Sequence, residues 1–172
     1  MRGNHGGTTP TALVDAVMDR PHRWMAESTA AALALFRATD TVGEHTELSW
    51  SSDPQQPSPH TLYSGPLYIM VDGGCFSACE TLVAPFKDNH RAVILGEQTG
   101  GSTGQPYYHS FDNGMKFQLS TKREYLPDGS PFEGVGIAPD IEVHKSAADL
   151  RNGNDPVMAK ALELIAHSAD KK

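Results

Sequence analysis

Among the residues able to do chemistry, Ser77 has the most informative surroundings. It lies in Val71-Asp-Gly-Gly-Cys-Phe-Ser-Ala-Cys-Glu80, where an apolar run gives way to glycines and then to helix-forming sequence. A hydroxyl at the junction of a buried strand and the helix after it projects from the carboxyl edge of a sheet. The N–H groups of the first helical turn and the helix dipole favour negative charge there. Ala78 N–H is then placed to stabilise the oxyanion of an acyl transfer, as at a nucleophile elbow. The same residues also spell a capping box, Ser77-Ala-Cys-Glu80, in which the serine caps the helix and Glu80 reaches back. On local sequence alone the cap outweighs the nucleophile. A serine hydroxyl attacks poorly unless a base removes its proton, and local sequence places none of the eight histidines near Ser77. His5 and His109 fall in predicted loops that could face the site, and each reads as a surface histidine.

Cys75 and Cys79 flank Ser77 symmetrically. A lone C-x3-C is a weak metal signal, and a disulfide across so tight a turn is geometrically demanding. The pair reads as two small, partly buried residues packed round the turn. No His/Asp/Glu cluster has ligand spacing, so neither a metal nor another cofactor is expected.

The elements that must position Ser77 are readable on both sides of it. Residues 67–71 form a short continuous apolar run, consistent with a strand buried on both faces. Residues 77–86 read as a helix and 92–95 as a second buried strand. Strand, helix and strand at this spacing make a βαβ unit with a parallel pair and a right-handed crossover. Beyond Gly100-Gly-Ser-Thr-Gly104, residues 115–125 alternate roughly and meet a turn at Pro127-Asp128-Gly129. Residues 141–143 form a last strand, and Asp155-Pro156 opens a helix with a stripe of Val157, Ala161, Leu162 and Ile165. Upstream, a helix over 11–18 is predicted, with Thr9 capping, Pro10 at the first helical position and Leu13, Val14, Val17 and Met18 as its apolar stripe. Residues 22–40 are ambiguous, the alanine-rich run favouring helix, and 41–64 read as a surface excursion.

The bulk numbers fit this picture. A chain of 172 residues suits one α/β domain with a real core. With 38% hydrophobic and 20% charged residues its composition is that of an ordinary globular protein. A formal charge of −7 argues against nucleic acid or an anionic membrane as main partner. No apolar run approaches the roughly 18 residues of a membrane span, and the first residues lack the apolar stretch of a signal peptide.

Four stretches in order resemble the tail-specific (C-terminal processing) serine peptidases and their relatives, the tricorn core protease and the retinoid-binding modules. They are Arg2-Gly-Asn-His-Gly-Gly7; Val71 to Glu80 followed by Phe86-Lys-Asp-Asn-His-Arg-Ala-Val93; Gly96-Glu-Gln-Thr-Gly-Gly101; and Pro127-Asp-Gly129 with Glu133-Gly-Val-Gly-Ile-Ala-Pro-Asp140. Together they cover residues 1 to 143. The resemblance implies a crotonase-like α/β fold with a mostly parallel sheet, and peptide-bond hydrolysis through an acyl-enzyme. Ser77 would attack, Ala78 N–H would form half of the oxyanion hole, and Gly6 or Gly7 would supply the other half. A tight turn needing positive φ is the structural role of those glycines and is compatible with the oxyanion role.

Two departures refine the expectation. Ser102 stands where the Ser–Lys members carry their lysine, so the chain looks closer to the tricorn-like members, which use a histidine and a glutamate. Glu133 matches that glutamate; its structural alternative is an exposed charge at a hairpin end. The chain also begins just before the arginine of the first motif. The expectation is a C-terminal catalytic subdomain, with the base histidine, any peptide-binding PDZ module and any export signal lying upstream. A polypeptide substrate and an exported or periplasmic location follow from the resemblance alone. The competing reading is a non-catalytic module of the same fold that binds a peptide or an apolar ligand.

Overall fold

The computed structural model describes residues 1–29 and 54–169. From the amino end come α1 (Thr11–Val17), β1 (Ala26–Thr29), β2 (Tyr68–Val71), α2 (Ala78–Asp88) and β3 (Val93–Gly96). They are followed by β4 (Tyr107–Ser110), β5 (Lys116–Leu119), β6 (Lys122–Tyr125), β7 (Ile141–Glu142), α3 (Ala147–Asn152) and α4 (Pro156–Ala169).

The apolar runs before and after α2 pair as expected. β2 and β3 are parallel, with Tyr68 opposite Val93 and Val71 opposite Gly96. β7 adds to β3 in the same direction, giving a three-stranded parallel sheet in the order β2-β3-β7. Both faces of this sheet are covered, which is why its strands are continuous apolar runs rather than alternating ones. On one face Leu82, Val83 and Phe86 of α2 join Val14, Met18, Val71, Ile94, Phe132 and Ile137 in a single core. On the other, Val157 and Ala161 of α4 pack against Leu95. Each of the larger buried side chains contributes about 1.5–3 kcal/mol through its removal from water. The predicted α4 stripe is half right: Val157 and Ala161 are buried, Leu162 and Ile165 are exposed, and Leu164 packs on the core in their place.

Outside the parallel sheet the pairing is antiparallel. β1 pairs with β6, Ala26 opposite Tyr125 and Thr29 opposite Lys122, and β4 pairs with β5 in a hairpin. The alternation over 115–125 is therefore two strands, broken at Ser120-Thr121, where both residues bond back to the Gly104 carbonyl. β1 falls in the segment whose alanines favoured helix; its partner in β6 lies far along the chain, and tertiary pairing overrides a weak local preference. Residues 30–53 lie outside the described residues, and with them the rest of that segment and the first part of the predicted excursion.

Two local expectations are corrected at the helix starts. In α1 the capping position is Pro10, no side chain caps it, and the Thr9 carbonyl accepts from Thr11 N–H. Of its stripe Val14 and Met18 are buried while Leu13 is exposed. α3 was not anticipated, although Ser146-Ala-Ala-Asp149 carries its signal: Asp149 N–H donates to Ser146 Oγ at 3.1 Å and Ser146 N–H to Asp149 Oδ2 at 2.9 Å. Among the described residues no helix is long and apolar enough to cross a membrane.

Candidate active site

The site is assembled where β2 stops. Asp72 ends the strand and accepts through Oδ1 from both Gly3 N–H and Gly74 N–H, each at 2.9 Å. Phe76 N–H then donates to the Asn4 carbonyl at 3.0 Å. The amino-terminal glycine loop is thus sewn to the strand-to-helix turn. At the end of that turn Ser77 has φ 55° and ψ −122°, in the left-handed region that a residue with a Cβ avoids. Such a conformation costs about 1–3 kcal/mol and persists only where its surroundings over-determine it.

The surroundings are specific. Ser77 N–H is shared between the Ser102 carbonyl at 2.9 Å and Glu80 Oε2 at 3.3 Å. Glu80 is fully buried and accepts further bonds from Thr99 Oγ1 at 2.5 Å, Gly101 N–H at 2.7 Å and Ser102 N–H at 3.0 Å. Burial pushes its carboxyl above the usual range, and the four hydrogen bonds oppose that shift without cancelling it. Ser77 and Glu80 face each other as the expected capping box, with the Glu80 side chain reaching back to the Ser77 N–H. The Glu80 N–H also bonds the Ser77 carbonyl, at 2.8 Å.

Gly6 lies directly against this serine. A Cβ on Gly6 would meet Ser77 Cβ at 2.7 Å and Ser77 Oγ at 3.2 Å, and its φ is +108°. Its N–H is already engaged by Asn4 Oδ1 at 3.0 Å. Gly7, at φ +134°, has open space about it. Among the described residues neither Gly7 N–H nor Ala78 N–H has a hydrogen-bond acceptor, whereas the next three amides of α2 bond to the Phe76 and Ser77 carbonyls.

Glu133 is not an exposed charge at a hairpin end. It is half-buried, and its Oε1 accepts from Thr103 Oγ1 at 3.3 Å and from Glu124 N–H at 3.2 Å. Gly134 N–H donates to the Gly101 carbonyl at 2.8 Å, so the Glu133 segment is stitched to the same 99–103 loop that grips Ser77. Ser102 contributes backbone to the site. Lys87 is paired with Asp140, and Lys116 lies on β5.

The reading of the two cysteines as unbonded is corrected. Cys75 and Cys79 form a disulfide with Cα atoms 5.5 Å apart, and both are fully buried. The turn doubles back so sharply that the first helical turn returns Cys79 to bonding range of Cys75. Of the two histidines singled out from sequence, His5 is a surface loop residue as expected and His109 departs from the loop reading. His5 is exposed and stacks on Phe76 with ring centroids 6.3 Å apart. His109 is on β4 rather than in a loop, 4.6 Å from the Phe111 ring. His22, not singled out from sequence, is buried, and desolvation lowers its pKa.

Comparison with known proteins follows the same residues. The sequence matches Peptidase family S41 over residues 1–143. It is 32% identical over 108 residues to the carboxy-terminal-processing protease of Bartonella bacilliformis, which covers 62% of this chain and 24% of that one. It is 26% identical over 168 residues to the carboxyl-terminal-processing protease of Synechocystis, covering 96% of this chain and 35% of the relative. Mature CPAF complexed with lactacystin has a similar structure, with TM-score 0.70 at 20% identity over 96% of this chain and 42% of that one. The photosystem II D1 C-terminal processing protease gives TM-score 0.56 at 22% identity, over 83% and 33%. The structural likenesses speak for the fold, a mixed α/β arrangement about a parallel sheet. The chain spans only 24% and 35% of the two curated relatives. The family match extends from the glycine loop through the serine turn to the Glu133 segment, and the chain belongs to peptidase family S41.

Proposed function

We propose that this chain is the C-terminal catalytic part of a tail-specific serine peptidase, of crotonase-like fold, which cleaves polypeptides through an acyl-enzyme on Ser77. The observation that carries the reading is the strained Ser77 backbone, with Gly6 pressed against it. A serine that merely capped a helix would have no need of that conformation. A base removes the Oγ proton as Oγ attacks the substrate carbonyl carbon, and the same base returns the proton to the leaving amine. Water then hydrolyses the ester. Ala78 N–H and Gly7 N–H, the donors without acceptors, stabilise the oxyanion; Gly6 supplies the close approach, because its own N–H is committed to Asn4. The base is a histidine upstream of these residues, oriented by Glu133. An exported or periplasmic location accords with the buried disulfide, since such bonds persist in oxidising compartments.

Fluorophosphonate treatment of the polypeptide extended upstream tests this, with the adduct mapped by mass spectrometry. Labelling of Ser77 that depends on one upstream histidine is the expected result. Residues 1–172 alone should turn over peptides little or not at all, because loss of the base from such a triad costs several orders of magnitude in rate. Complete inertness of the extended protein would favour the ligand-binding module. That second reading has one observation behind it, a cleft of about 710 Å³ between Arg2, Met70, Val143 and Val157 whose lining does not include Ser77.

A further inference from the structure

We propose that Glu80 is a positioning residue for the nucleophile, its buried carboxylate locking the Ser77 turn to the loop that carries the Glu133 anchor. The inference rests on the peptidase reading above and deepens it.

A capping box needs only two residues three apart. Here three of the four donors to Glu80 come from 19, 21 and 22 residues along the chain. The four bonds are divided evenly: Oε1 takes Thr99 Oγ1 and Gly101 N–H, and Oε2 takes Ser102 N–H and Ser77 N–H. A carboxylate cut off from water needs this complete set, because each unmade bond leaves a buried polar group unpaired. Three of the donors are backbone amides, so they fix main chain rather than a rotatable side chain. One of them belongs to Ser77 itself, whose amide is also held by the Ser102 carbonyl. Two acceptors on one N–H are what keep a left-handed serine from relaxing.

The grip continues outward. Thr99 Oγ1 accepts from Ile137 N–H at 2.7 Å, and Thr103 Oγ1 donates to Glu133 Oε1 at 3.3 Å. Nucleophile and Glu133 are therefore tied to one loop, and Glu80 is the side chain that joins that loop to α2. A glutamine at position 80 keeps the shape but turns one acceptor oxygen into a donor. Two of the four amide or hydroxyl donors then face an NH2 group and lose their bond to the side chain at position 80.

The test uses the full-length protein and three forms: wild type, Glu80→Gln and the control Val83→Ala, which opens a cavity on the same helix without touching Glu80. Ser77 labelling by a fluorophosphonate, peptide turnover and amide hydrogen exchange are measured on each. Glu80→Gln is expected to slow labelling about 100-fold, the scale of a displacement of about 1 Å, and to lower kcat with KM unchanged. It should also speed exchange at Ser77 and Ser102. Val83→Ala should label at the wild-type rate. Wild-type labelling by Glu80→Gln, or equal slowing by Val83→Ala, overturns the proposal. A wild-type protein that takes up no probe overturns the peptidase reading instead. Exchange then decides Glu80 alone: faster exchange at Ser77 and Ser102 supports its grip on the turn, and unchanged exchange overturns it.

Discussion

Gly6 and Ser77 meet face to face, so closely that a Cβ on the glycine would lie 2.7 Å from the Cβ of the serine. Two residues far apart in sequence are coupled by that contact. Gly6→Ala should cost about 1–3 kcal/mol, from the clash and from an L-residue forced to φ +108°. Urea denaturation measures it. Because the clash is with Cβ, Ser77→Gly should recover part of the loss and Ser77→Ala none, a coupling of about 0.5–3 kcal/mol in a double-mutant cycle.

Taken singly, the two serine variants should separate strain from chemistry. Both lack the hydroxyl and should take up no fluorophosphonate. Ser77→Gly frees the turn from its positive-φ penalty, and should be more stable than Ser77→Ala by about 1 kcal/mol. Equal midpoints in urea would mean that the turn is not strained.

Reduction of the Cys75–Cys79 bond gives a third expectation. The two residues are only 4 apart in sequence, and cross-linking so short a loop restricts the unfolded chain by about 2 kcal/mol. Denaturation with and without a dithiol reductant should differ by that amount, and the Cys75→Ala/Cys79→Ala protein should be insensitive to the reductant.

The Arg2–Asp155 pair supplies a pH dependence. The guanidinium donates to both carboxylate oxygens at 2.8 and 2.7 Å, and the Arg2 bond is the main reason the Asp155 pKa falls from an ordinary 3.8 to about 2. A depressed folded-state pKa stabilises the protein above the unfolded value, and that contribution is lost as pH falls from about 4 to about 2. The Asp155 side chain is 34% exposed, so solvent limits the pair to at most about 1 kcal/mol. Arg2→Ala should move the Asp155 titration back toward 3.8 by NMR. Its stability deficit should be full at pH 6 and vanish near pH 2.

What was legible in the sequence was local. The runs at 67–71 and 92–95 are apolar throughout because both faces of their sheet are covered, and that pattern does not depend on distant residues. The same holds for the turn at Ser77 and the helix after it. β1 and β4 escaped because each is defined by a partner elsewhere: Ala26 by Tyr125, Tyr107 by Leu119. Glu80 shows the limit most clearly. Its spacing from Ser77 spelled a cap, and its other partners, Thr99, Gly101 and Ser102, are brought to it only by the return of the chain through β3. Gly6 and Gly7 were indistinguishable as letters; one hydrogen bond, from Gly6 N–H to Asn4, tells them apart.

The disulfide around Ser77 has a consequence for how this turn forms. Residues 1–172 hold only these two cysteines, so within them a single pairing is possible. Closing the bond needs an oxidant and a thiolate. Both sulfurs end buried beneath the turn, so the window for oxidation is the period before α2 settles onto the sheet. The covalent history of the Ser77 turn is thus written during folding rather than after it.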